Sequence, residues 1–290
     1  MLATAAHTGA AIGGGLMLGL LLCGVVIWLC LLRQYLHTGL PAPPHITFLQ
    51  QRHWSVLDLL YVGVWVSTVI LVFSMLGVLA RRFDLDGNWL HTMAALQNTI
   101  LQLLVGVVLV LRMRAADRGI RESFAAAVRV GQTWGRVLGQ TGKWYVLLLP
   151  LVLVAAMVSQ LLFSPPDQEH TFQPVLVFFT DAATPGWFRW WIVGVAVIIA
   201  PIVEEALFRG VMLPVLLRKY GVWTSLIGCS LLFALVHGHL PSMLPLFVLS
   251  MGLGAAYVYT GNLCVPIGIH AVFNGVSLLV LVLAGFPSPV

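Results

Sequence analysis

Apolar residues run in long blocks along this chain, with little of the polar interruption that a water-facing surface imposes. The blocks fall at residues 9–32, 57–80, 92–111, 144–163, 190–213, 222–237, 242–260 and 264–285. A membrane-spanning helix needs about 20 apolar residues, so the pattern predicts eight spans with the sixth a short one. That sixth span is expected either to begin within the polar cluster Arg218–Tyr220 or to tilt. The pattern changes before the fourth block. From Arg121 to Lys143, Phe124, Val128, Val130, Trp134, Val137 and Leu138 share one helical face, and Glu122, Arg129, Gln132, Arg136 and Gln140 share the other. This predicts an amphipathic helix over 121–143 on the cytoplasmic surface, its basic residues toward the headgroups. Gly39–Pro44 and Ser164–Asp167 read as loops, and the apolar stretch 173–180 is too short to span and is expected to dip into the outer interface. The fold class expected is all-α: a polytopic membrane helical bundle of about eight transmembrane helices plus this interfacial helix.

Composition agrees with the pattern. The chain has 290 residues, 60% of them hydrophobic and only 9% charged, against about 25% charged in soluble domains. The net charge of +5 does not point to nucleic acid, because the basic residues neither cluster nor alternate with aromatics. They bear on orientation instead. With the N-terminus outside, inside segments hold twelve Lys and Arg, from Arg33 to Lys219, and outside segments hold three, Arg81, Arg82 and Arg189. The positive-inside rule then favours both termini outside. No Lys or Arg precedes the first apolar block, which therefore reads as a span rather than a signal peptide. Cys23, Cys30, Cys229 and Cys264 lie in apolar segments without a C-x-x-C pair, and are expected to be small buried hydrophobes rather than disulfides or zinc ligands.

The candidate chemistry sits in the second half. Seven of the ten acidic residues lie in loops and Asp58 lies at a span edge, leaving only Glu204 and Glu205 deep in an apolar segment. A carboxylate at that depth costs about 2.5–3.5 kcal/mol, which makes it a functional candidate. Adjacent helical residues point about 100° apart, so the two acids are expected to serve different roles. Glu205 precedes Arg209 by four residues, the favourable order for an ion pair, and is assigned to structure. Glu204 is then free to face a cavity, and Pro201 is expected to bend the helix beside it. His237 ends the sixth span, and His270 and Asn274 are four apart on one face of the eighth, where both can aim donors at one point as an oxyanion site requires. Single membrane histidines, asparagines and Glu–Arg pairs commonly serve as interhelical glue. All of them together on three helices have few structural explanations. H-E-x-x-H, G-x-S-x-G and an intramembrane aspartate pair are absent, which excludes the corresponding intramembrane protease classes.

These residues resemble a known family. Glu204-Glu205-Ala-Leu-Phe-Arg209 is similar to its E-E-x-x-x-R motif, Phe233-Ala-Leu-Val-His237 to F-x-x-x-H, and His270-Ala-Val-Phe-Asn274 to H-x-x-x-N. The family is that of CAAX prenyl protease and bacteriocin-processing (CPBP, or Abi) intramembrane endopeptidases. The resemblance runs roughly from Trp187 to Ala284, and the first four spans carry no matching motif. It implies one integral membrane domain with N-terminal helices over 1–186 and a catalytic core over 187–290. It implies a cavity open to the cytoplasm and the bilayer, in a bacterial plasma membrane. It also implies a peptidase in which Glu204 and His237 activate water, His270 and Asn274 stabilise the oxyanion, and Phe233 and Arg209 are supports. The substrate implied is a peptide or a membrane protein reached through the lipid bilayer. No cofactor is expected.

Three other readings stay open on the residues alone. Glu204, His237 and His270 are also a possible zinc ligand set. The same bundle without catalysis would be a membrane scaffold or immunity-type protein. Buried Glu and His also serve proton-coupled transporters, though inverted halves with broken helices are not evident. The oligomeric state, the substrate's identity and its prenylation are not legible in the sequence.

Overall fold

The computed structural model describes residues 18–19, 21–30, 33, 36–37, 42–52, 54–83, 87–115, 133–163 and 184–283, and among them every regular element is helical. In chain order they are α1 (Leu21–Cys30), α2 (Ile46–Gln50), α3 (Val56–Arg82), α4 (Gly87–Ala115), α5 (Trp134–Phe163), α6 (Gly186–Leu217), α7 (Val222–Val236), α8 (Leu240–Thr260) and α9 (Cys264–Leu283). Apolar blocks in lipid must satisfy their own backbone groups, and the α-helix does so within one segment.

Four stretches are long and apolar enough to cross a membrane: Val56–Ala80, Trp134–Phe163, Gly186–Leu217 and Leu240–Thr260. Four shorter apolar stretches accompany them: Leu21–Cys30, Leu96–Arg112, Val222–Val236 and Cys264–Val280. The expected eight spans are therefore met at full length for four. The sixth is short, as its sequence predicts: α7 has 15 residues, about 22 Å at 1.5 Å per residue. Only 6% of the apolar window of α3 is buried. Leu57, Val64, Leu71 and Val78 stand exposed along it, an apolar surface that suits lipid and not water. This is an integral membrane protein.

The structure corrects several expectations. Residues 121–132 of the predicted interfacial helix lie outside the described residues, as do Ser164–Asp167 and 173–180. The remainder, 134–143, is the first part of α5 and continues without a break into the fourth span. No Pro interrupts the junction, and a 30-residue helix is about 45 Å long, so its polar start extends past a hydrocarbon core of about 30 Å. Cys229 is buried, but Cys23 and Cys30 are exposed on α1, where the surface is apolar all round. Arg209, counted among the inside charges, is fully buried, leaving eleven against three. The short helix α2 lies in a loop region and was not expected. Leu49 inserts from it into the core beside Leu213 and Leu217, and Gln50 Nε2 donates to the Leu217 carbonyl at 2.8 Å.

Three apolar clusters hold the bundle. One joins α2, α6, α7 and α8 around Phe208, Leu213, Phe233 and Tyr257. A second joins α5, α8 and α9 through Tyr145, Leu148, Leu253 and Ile269. Gly252 permits that approach: a Cβ there would stand 2.1 Å from Leu148 Cδ2. The third packs Val62 of α3 and Val105, Val108 and Leu109 of α4 against Val211, Val203 and Ala206 of α6. Each fully buried Leu or Phe contributes about 1.5–3 kcal/mol relative to exposure in water; in lipid, close packing does more of this work.

Candidate active site

α6 is a helix of mixed register. Two stretches, Val195–Ile199 and Ala206–Met212, are π-helical, and the α-helical turn Ala200–Glu205 between them carries both glutamates. Each π stretch ends two residues before a proline. In the first, the Ala200 N–H bonds to the Val195 carbonyl, five residues back. Pro201 has no N–H to make the next bond in that register, to the Ala196 carbonyl. Asn274 Nδ2 of α9 donates to that oxygen instead, at 2.8 Å. In the second, the Leu213 N–H bonds five residues back to Phe208, and Pro214 follows. Wide turns of this kind recur at functional sites.

Glu205 and Arg209 are both 0% exposed, and Arg209 Nη1 donates to Glu205 Oε1 at 2.8 Å. Arg209 Nη2 donates to the Ser250 carbonyl at 2.9 Å and to Ser250 Oγ at 2.7 Å, tying α6 to α8. The guanidinium lies 5.0 Å over the Phe233 ring. Such a pair, removed from water, persists only through these added contacts.

Glu205 is not confined to Arg209. The same Oε1 accepts His270 Nδ1 at 2.9 Å. On the other edge of that ring, His270 Nε2 stands 3.9 Å from Glu204 Oε2. The two adjacent acids thus converge on one imidazole, approaching its two nitrogens. Glu204 is 17% exposed at the side chain, and Gln102 Nε2 of α4 donates to its Oε1 at 2.6 Å.

His237 forms the C-cap of α7, and its Nδ1 donates to the Phe233 carbonyl at 2.7 Å. A carbonyl and a carboxylate only accept, so Nδ1 carries the proton in both His237 and His270. Each ring therefore presents Nε2, an acceptor in the neutral form and a donor only in the imidazolium. The Phe233 ring is the hub: its centroid lies 4.7 Å from that of His237, 5.8 Å from His270 and 5.0 Å from Phe208. His237 joins the cluster through this ring, while Glu204 bonds to Gln102 and faces His270.

Among the described residues no three or more His, Cys, Asp or Glu side chains are arranged to hold a metal ion. Glu204, His237 and His270, the possible zinc set, form no such group among the described residues. No step is derived through a metal.

The sequence reading missed Gln102, Ser250 and the Glu205–His270 link. Gln102 had a weak signal, an amide in the apolar run Leu96–Arg112. Ser250 had none beyond being polar in α8.

Comparison with known proteins bears on the same segment. Residues 185–276 match the model of the type II CAAX prenyl endopeptidase Rce1-like family. An "Uncharacterized 24.3 kDa protein" of Escherichia coli is 35% identical over 88 residues, which are 28% of this chain and 40% of that protein. The chain thus spans well under half the length of that relative. No solved structure matches. The carboxy-terminal segment 185–276, which carries all three motifs, is similar to the Rce1-like type II CAAX prenyl endopeptidase family.

Proposed function

We propose that this protein is an intramembrane peptidase that hydrolyses a peptide bond of a membrane-associated protein or peptide with a glutamate-activated water. The observation that carries this reading is Glu204: a partly accessible carboxylate inside the bundle, held at one oxygen by Gln102 and facing His270 with the other. Support comes from the protease family matched by residues 185–276.

The chemistry runs as general base and then general acid catalysis. Glu204 takes one proton of the water, and Nε2 of His237 accepts a hydrogen bond from the other. The water oxygen attacks the peptide carbonyl carbon. The resulting oxyanion receives the second N–H of Asn274 Nδ2, whose first is spent on Ala196, and Nε2–H of His270 in its imidazolium form. Glu204 then returns the proton to the leaving amine. Glu205 fixes the orientation of His270, Arg209 offsets the charge of Glu205, and Phe233 seats both imidazoles.

The proposal includes a bacterial plasma membrane and a site opening to the cytoplasm; the excess of Lys and Arg in inside segments supports that orientation. Substrates reach the site from the bilayer or the cytoplasm.

The test is cleavage of membrane peptides by purified protein in liposomes, with comparative proteomics of cells carrying wild type or Glu204→Gln to find the substrate. Glu204→Gln should lower the rate about 100- to 10,000-fold while leaving the fold intact. Full activity in that variant would overturn the assignment. Stoichiometric zinc lost together with activity on chelation would replace it by the zinc-dependent version. Absence of any difference between the two proteomes would favour a scaffold.

A further inference from the structure

We infer that Gln102, on α4 and outside the matched segment, is a positioning residue for the reaction, holding the Glu204 carboxylate in the orientation that acts on water. The inference rests on the catalytic reading of Glu204. Gln102 is 8% exposed, so its amide must find its partners inside the protein. Its Nε2 lies 2.6 Å from Glu204 Oε1 and donates a short hydrogen bond to the carboxylate. This bond engages the oxygen away from His270 and leaves Oε2 on the side of the imidazole. A carboxylate held at one oxygen keeps its other oxygen directed. The amide has both a donor and an acceptor, so by turning over it can hold Glu204 before and after the water proton is taken up.

α4 is itself fixed against α6. Thr99 Oγ1 accepts from Trp191 Nε1 at 3.3 Å, one turn before Gln102. At Gly106, one turn beyond, a Cβ would stand 3.5 Å from Val203 Cγ2. Thr99, Gln102 and Gly106 share one helical face. Val105 and Leu104 pack beside them on Val203 and Ala206, the neighbours of the glutamates. The N-terminal helices thus have a stated role: they bring the amide that completes the carboxylate's environment.

The test is steady-state kinetics of the full-length protein in liposomes for Gln102→Leu, Thr99→Val and Glu204→Gln, with thermal midpoints measured for each. Gln102→Leu should lower kcat roughly 10- to 100-fold, with KM within about twofold, as expected when a catalytic group is misoriented. Thr99→Val loosens the same helix contact away from the carboxylate and should leave kcat unchanged. Where Gln102→Leu lowers the yield of folded protein, Gln102→Met serves in its place; it keeps the side-chain length without an N–H donor and should lower kcat likewise. Unchanged kcat in the position-102 variant would overturn the inference. So would a rise in KM alone, which marks substrate contact, or an equal loss in Thr99→Val, which marks helix docking. Activity retained in Glu204→Gln would instead overturn the catalytic reading itself, a separate outcome.

Discussion

Replacing Arg209 by Met tests what holds the buried charges. The substitution keeps the length and the stacking over Phe233 but removes the guanidinium. Glu205, at 0% exposure, is left with the His270 Nδ1–H but without the guanidinium, and Ser250 loses the donor to both its carbonyl and its hydroxyl. Breaking a buried pair from one side costs about 3–5 kcal/mol, because the remaining charge is uncompensated. Glu205 Oε2 has no hydrogen-bond partner among the described residues, so none of them offers a spare contact to absorb the loss. The thermal midpoint in detergent should fall by roughly 6–20 °C, at about 2–4 °C per kcal/mol. The decisive comparison is the double variant Glu205→Leu with Arg209→Met. Removing both charges takes away the uncompensated carboxylate, so the double variant should be more stable than Arg209→Met alone. It should still be inactive, since His270 Nδ1 loses its acceptor. A midpoint for the double variant at or below that of Arg209→Met alone would refute the reasoning, since removing the stranded carboxylate would then bring no relief.

Two further outcomes follow from the same geometry. Asn274→Ala should lower kcat by roughly 100-fold with little change in KM, measured on a cleavable peptide, because one oxyanion donor is worth about 10²–10³ in rate; it should also lower stability by about 1–3 kcal/mol, because the Ala196 carbonyl loses its donor. Gly252→Ala should destabilise the α5–α8 contact by about 1–3 kcal/mol in a thermal scan, since the new Cβ meets Leu148 Cδ2 at 2.1 Å and Leu148 is itself buried.

The sequence carried the helical class and the motif residues because both follow from local rules. Apolar blocks longer than a bilayer core announce spans, and a carboxylate within one is conspicuous by its cost. The Glu205–Arg209 contact was legible because it lies within one helix at i and i+4. The contacts that cross between helices were not. Gln102 and Glu204 are 102 residues apart, and nothing local to either names the other. The reading of α5 failed for a related reason. An amphipathic pattern over 134–143 is equally the start of a long helix leaving the membrane, and periodicity does not record where a helix changes solvent.

The angular rule that separated the two glutamates was sound and still incomplete. Neighbouring helical side chains do diverge, and Glu204 and Glu205 do bond to different groups, Gln102 on one side and Arg209 on the other. The rule assumes that a shared partner is a point. An imidazole is not: its two nitrogens face different directions, so one ring can receive two divergent carboxylates. His270 does this, at 2.9 Å from Glu205 and 3.9 Å from Glu204. Adjacency of the acids then has a chemical use. The deeper one, locked by Arg209, sets which nitrogen of His270 carries the fixed proton. The shallower one is held by an amide and is the acid that the proposed mechanism uses on water. The short α-helical segment between two π stretches carries both acids, and a proline follows each of those stretches, where it cannot extend the wide register.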